Sequence, residues 1–177
     1  DETMRDGQQS LWGMRMQAGM ALPVAPIIDR TGFRVIDLTG SSMFECLIKY
    51  CHENPWEGLD LLTQAMPRTR IRGGMRSNAS VTFGVTPDSL MDLWMRRLNV
   101  HGCRSFWIYD VLFNNDKTKR LAKIAKEYGS EVAGAVMFTL SPVHTDEYYA
   151  KQVDELSVSP DIDTILLYDT AGVLEKE

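Results

Sequence analysis

Short apolar runs alternate along this chain with longer stretches whose apolar residues recur every three or four positions. The short runs predict strands at Asp1–Arg5, Phe33–Leu38, Arg70–Met75, Ser105–Leu112, Glu131–Phe138 and Asp163–Tyr168. The longer stretches predict helices. Met43–His52 carries Phe44, Leu47 and Tyr50 at helical spacing. A second helix begins at Pro87-Asp88-Ser89, with Thr86 as N-cap and Pro87 in the first turn, and presents Leu90, Leu93, Trp94 and Leu98 as one stripe. Lys117–Tyr128 ends at Gly129, a C-cap residue, and Asp146–Leu156 completes the set. Strands that alternate with helices pair in parallel, because each helix carries the chain back to the same end of the sheet. An eight-fold barrel and an open doubly wound sheet both satisfy this pattern. The turn RDGQQS after the first strand lacks the glycine fingerprint of a dinucleotide-binding fold.

Composition narrows the class. A chain of 177 residues is one domain by size, and its 44% hydrophobic and 24% charged residues are ordinary for a globular protein. The net charge of −5 gives no basic footprint for nucleic acid or an anionic membrane. No apolar run reaches the roughly 20 residues of a membrane helix, and no signal peptide is visible. Cys46, Cys51 and Cys103 are unevenly spaced without a CxxC pair, which suits reduced thiols in a cytoplasmic protein.

The chemistry concentrates in the opening residues, DETMRDGQQSLW. Read as a strand, they place Asp1, Thr3 and Arg5 on one face and Glu2, Met4 and Asp6 on the other, with Gly7 allowing a sharp exit. A carboxylate can bind a hard divalent cation, and an arginine can fork onto a carboxylate or enolate oxygen. If the sheet closes into a barrel, the strands' carboxyl ends converge. The candidates are then Arg5, Asp6, Gln9, Asp37, Arg76, Asp110, Thr139, Tyr168 and Asp169. Asp110 interrupts the apolar run WIYDVLF, and a buried carboxylate needs an arginine, a metal or a proton. His144 reads as a surface histidine, and His52 and His101 as residues that end helices. Trp12, Trp94 and Trp107 read as packing residues.

DETMRDGQQS resembles the opening motif of the metal-dependent lyase superfamily that includes HMG-CoA lyase, isopropylmalate synthase and the biotin-dependent carboxyltransferases. HENPWEGLDLLTQAMP, FTLSPVHTDEYYAKQ and LLYDTAGVL follow in the order found in the carboxyltransferase domains of pyruvate carboxylase, transcarboxylase and the oxaloacetate decarboxylase alpha chain. This resemblance implies a partial (β/α)8 TIM barrel of about six strand–helix units over residues 1–177, lacking the last two units. It also implies a metal-dependent carbon–carbon bond enzyme acting on a keto acid through an enolate, of the pyruvate/oxaloacetate type. Asp6 then matches a ligand to a divalent metal (Mn, Mg, Zn or Co), Gln9 a keto-acid-binding residue with Arg5 beside it, and Asp110 a residue next to the catalytic centre. Arg76 matches the arginine for the substrate carboxylate, through equal spacing to the Pro87-Asp88 helix start and on to Gly102.

Some positions depart from that pattern. Tyr168 replaces the lysine that is carbamylated in the carboxyltransferases, which opposes biotin as a cofactor, since phenol cannot form the carbamate. The motif's His is Gln8, and Thr39 stands where the family has Trp. The HxH ligand pair lies beyond Glu177, so this fragment alone is expected to be inactive. The alternatives are an HMG-CoA lyase-like aldol lyase, a Claisen-type acyltransferase and a non-catalytic paralogue. The expected partners are a keto acid or acyl-CoA and a second copy of the chain, with no nucleic acid and no membrane.

Overall fold

The computed structural model describes residues 1–80 and 84–175. A helical turn at Thr3–Gly7 leads into α1 (Gln8–Trp12), α2 (Ala18–Ala21) and α3 (Ala25–Asp29). Then β1 (Val35–Gly40), α4 (Ser41–Cys46), α5 (Pro55–Ala65), β2 (Arg70–Arg76), α6 (Asp88–Val100) and β3 (Cys103–Tyr109) follow. The chain continues through α7 (Asn115–Glu127), β4 (Glu131–Met137), α8 (Asp146–Ser157) and β5 (Thr164–Tyr168).

The five strands lie in sequence order, β1-β2-β3-β4-β5, and every pair is parallel. This order decides between the two architectures. A doubly wound sheet reverses its strand order part-way, whereas successive right-handed crossovers without reversal put all helices on one face. That face buries Ile36, Leu38, Ile71, Met75, Phe106, Ile108 and Val132 against helix residues such as Met91, Met95, Leu98, Leu121 and Ala125. The opposite face carries Asp37, Thr39, Arg72, Arg76, Ser105, Trp107, Tyr109 and Tyr168 at alternate strand positions. It is the inner wall of a (β/α) barrel segment.

The expected first strand is the main correction. Only Asp1 pairs like a strand residue, its ammonium donating to the Val35 carbonyl (2.9 Å) and its carbonyl accepting from Asp37 N (2.8 Å). Beyond it the chain coils. The Asp1 carboxylate accepts from Thr3 N (3.1 Å) and Thr3 Oγ1 (3.0 Å), and the Glu2 carbonyl accepts from Arg5 N and Gly7 N. A local side-chain acceptor offers the backbone an alternative to the ladder. Among the described residues five strands, rather than six, therefore make up the sheet.

Smaller differences have similar causes. Met43–His52 divides into α4 and a wider helical turn over Leu47–Cys51, ended by His52 in the left-handed region (φ 54°). The α6 cap lies one residue later than expected. Pro87 is the N-cap, and Thr86 Oγ1 instead accepts from Ser80 N (3.2 Å). By contrast α7 and α8 match closely, because Asn114 and Thr145 supply side-chain N-caps and Gly129 takes φ 71° after α7. Among the described residues no helix is long and apolar enough to cross a membrane.

Candidate functional site

The inner wall ends in a cleft of about 180 Å³ at the strands' carboxyl ends. The amino-terminal turn contributes Arg5, Gln9 and Met14 to its lining. β1 and α4 contribute Gly40, Ser41 and Ser42, and β2 contributes Gly74 and Arg76. Trp107 and Tyr109 of β3 and Tyr168 of β5 complete it. Four of the expected residues, Arg5, Gln9, Arg76 and Tyr168, thus converge although most are far apart in sequence.

Arg5 is buried at 8% exposure. The helical turn sets Glu2 three residues before it on one face, so Arg5 Nε reaches Glu2 Oε2 at 3.1 Å. Its Nη1 is 3.5 Å from Asp6 Oδ1, and its Nε lies 3.9 Å from Asp37 Oδ1. The guanidinium rests over the Trp107 ring, 5.3 Å from the centroid, with the Tyr168 phenol beside it.

Asp37 is almost fully enclosed at 1% exposure and accepts from Trp107 Nε1 at 2.6 Å through Oδ2. Burial pushes its carboxyl pKa up to about 8, the Glu2 carboxylate adds to the rise, and Arg5 opposes it. The Asp37 carboxyl therefore holds its proton to higher pH than an ordinary carboxyl group. The folded protein retains a proton that the unfolded chain releases near its ordinary value of 3.8. Stability from this group is complete below that value and is lost as pH rises towards 8, at up to ~1.4 kcal/mol per pH unit. Asp37→Asn keeps an acceptor for Trp107 and removes the titration. Thermal melts across this window should show the parent losing stability relative to the variant as pH rises. Parallel pH profiles for the two would show that Asp37 is ionised throughout.

Trp107 stacks on Tyr109 (4.9 Å between centroids, 11° between planes), and Tyr168 meets Trp107 edge-on at 4.9 Å. Arg76 Nε donates to the Tyr109 hydroxyl at 3.1 Å. Trp107 is thus more than the packing residue expected from the sequence, and Trp12, 54% exposed, does not pack. Trp94 does pack, edge-on to Phe44 and Trp56, and His101 is structural, its Nδ1 2.7 Å from Asp60 Oδ1.

Asp110 lies one residue beyond β3 at the same end of the sheet but does not line the cleft. Its carboxylate accepts from Ser77 Oγ and, at 2.7 Å, from Leu112 N. It thereby holds the residue that follows Arg76. Asp169 is similarly engaged, accepting from Leu174 N at 2.8 Å, and the amides of its own loop hold its carboxyl below the usual range.

Asp6 also lies outside the lining, with its side chain half exposed. Among the described residues no three His, Cys, Asp or Glu side chains gather as metal ligands would. Tyr168 offers a phenol where a carbamate would need an amine. This donor set does not make a metal site from the chain's own residues.

Over 98% of its length the chain is 34% identical to a pyruvate carboxylase subunit of Methanocaldococcus jannaschii, of which it spans 30%. The chain is similar along nearly its whole length to pyruvate carboxylase subunits. No protein-family model matches it. The 2-oxoglutarate carboxylase large subunit of Hydrogenobacter thermophilus, 28% identical over 98% of the chain, is a further relative. The chain spans 26% of that protein, so it covers less than a third of either relative. The fold agrees. The carboxyl transferase domain of Rhizobium etli pyruvate carboxylase, solved with pyruvate and biocytin, superposes with a TM-score of 0.88 at 23% identity, over 98% of this chain and 30% of that one. The parallel sheet is therefore part of a carboxyltransferase-type TIM barrel.

Proposed function

We propose that this chain forms the keto-acid side of a pyruvate/oxaloacetate-type carboxyltransferase site. The convergence of Arg5, Gln9 and Arg76 on one cleft carries this reading. Arg76 grips the substrate carboxylate, since a planar guanidinium matches it bidentately. The Gln9 amide donates to the keto oxygen. When C3 gives up a proton to a base, or a carboxyl group to an acceptor, the bonding electrons move onto that oxygen, and the amide together with the Arg5 guanidinium stabilises the enolate. In the carboxylating direction the enolate carbon takes a carboxyl group as the bond to its carboxyl donor breaks. Asp110 acts through Ser77 as a positioning residue for Arg76.

Tyr168 favours a second reading, an aldol-type lyase or Claisen-type acyltransferase that forms the same enolate without carbamyl-lysine. In both readings the full-length protein should exchange the C3 protons of a 2-keto acid with solvent deuterium, followed by NMR. The exchange should fall to background in Gln9→Ala. Exchange that is absent from the parent, or undiminished in the variant, would refute an enolate held at this cleft.

A further inference from the structure

The amino ends of β2 and β3 frame a second cleft, of about 310 Å³. Arg68 precedes β2, Arg70 opens it, and Arg104 is the second residue of β3. Thr63 and Met66 close the cleft from the end of α5. β2 runs seven residues from Arg70 to Arg76, so its length separates this cleft from the first, roughly 20 Å at strand rise.

The chain as a whole is acidic, with 24 Asp and Glu to 19 Lys and Arg. The lining of this cleft reverses that balance. It holds three arginines and no Asp or Glu. Arg70 donates to Glu131 at 2.9 Å, but the same carboxylate also pairs with Arg34. Among the described residues Arg68 and Arg104 have no carboxylate within ion-pair distance of their guanidinium groups. Arg104 Nη1 instead donates to the carbonyls of Asn99 and Cys103, which anchors the side chain and leaves Nε and Nη2 to other acceptors. The neighbouring Asp29 is buried. Its carboxylate is taken up by the backbone amides of Arg68 (3.1 Å) and Thr69 (2.9 Å). The cleft therefore carries uncompensated positive charge on planar donor groups.

We infer that this second cleft binds a phosphate group. Three guanidinium groups around one opening repel one another until an anion enters. One carboxylate occupies a single fork. A phosphate brings about −1.5 to −2 charges and three strong acceptor oxygens, and so serves several forks together. The site lies at the end of the sheet away from Arg76, so a phosphate held there leaves the first cleft open. The inference is independent of the keto-acid reading.

Isothermal calorimetry on the full-length protein tests this with inorganic phosphate, glycerol 3-phosphate and acetate at one ionic strength. Phosphate should bind at least about tenfold more tightly than acetate. The double variant Arg68→Ala with Arg104→Ala should weaken phosphate by about tenfold or more. Arg76→Ala, in the other cleft, should leave phosphate binding unchanged. Tighter binding of the ester than of inorganic phosphate would support the site and make an organic phosphoester its ligand. Equal or weaker binding of the ester would support the site with free phosphate as the ligand. Phosphate that binds no more tightly than acetate, that binds the double variant as well as the parent, or that is lost in Arg76→Ala would overturn the inference. Arg68→Ala alone, at an exposed position outside the strands, keeps the test open if the double variant fails to fold, and should weaken phosphate by at least about threefold.

Discussion

Replacing Arg76 by alanine should lower kcat/KM for the keto acid by about a hundredfold or more in the full-length protein. Truncating one partner of a hydrogen-bonded charge pair costs about 2–5 kcal/mol, and each ~1.4 kcal/mol is tenfold. The loss should fall mainly on KM if the guanidinium grips substrate and transition state equally. Arg76→Lys should recover only part of it, because an ammonium is a point charge without the planar fork and does not reproduce the bond to the Tyr109 hydroxyl. The folded state should be little changed, since Arg76 sits at the end of β2 and is only partly buried. Steady-state kinetics alongside a thermal melt separates the two effects. A variant with full activity would remove Arg76 from the site.

Gly74→Ala should strike the cleft through packing. A methyl group at this position would lie 2.7 Å from Trp107 Cε2 and Cζ2, closer than carbon atoms approach one another. The indole must move, and with it the 2.6 Å bond to Asp37 and the stack on Tyr109. Overpacking of this kind costs about 1–3 kcal/mol. In a chain of this size each kcal/mol lowers the melting temperature by roughly 2–4 °C. Gly73→Ala is the control. Its nearest neighbour would be Phe106 Cε1 at 3.4 Å, so it should cost far less. Thermal melts of both variants with tryptophan fluorescence check the difference. Equal melting temperatures would show that Trp107 is not wedged against β2.

Helices α7 and α8 were legible because their ends carry strong local signals, whereas α5 (Pro55–Ala65) was not anticipated. Asn114, Thr145 and Gly129 cap α7 and α8 through their own side chain or backbone freedom, independently of the rest of the fold. The opening segment was not legible as structure. Its alternation suited a strand, but the Asp1 carboxylate holds Thr3 N and starts a coil that brings Glu2, rather than Asp1, to Arg5. Arg5 and Gln9 reach the cleft, but from a coiled segment rather than a strand.

Trp107 was hidden for another reason. A strand buried on both faces reads as one apolar run, so FWIY does not disclose which side chains face the helices. The neighbouring strands held the missing signal. Asp37 and Thr39 in β1, and Arg70, Arg72 and Arg76 in β2, are polar at alternate positions and mark the inner face. Parallel register carries that face across to Ser105, Trp107 and Tyr109. Asp110 was legible as a residue at the site's end of the sheet, but its bond to Ser77 depends on the loop that follows β2.

A crystal structure of the full-length protein with oxamate, a keto-acid analogue that cannot form an enolate, tests the location of the site most directly. Its carboxylate should lie within hydrogen-bond distance of Arg76, with the amide carbonyl facing Gln9 and Arg5. Oxamate bound away from the carboxyl ends of β1–β3, or excluded from the cleft while the enzyme remains active, would contradict a keto-acid site built on these residues.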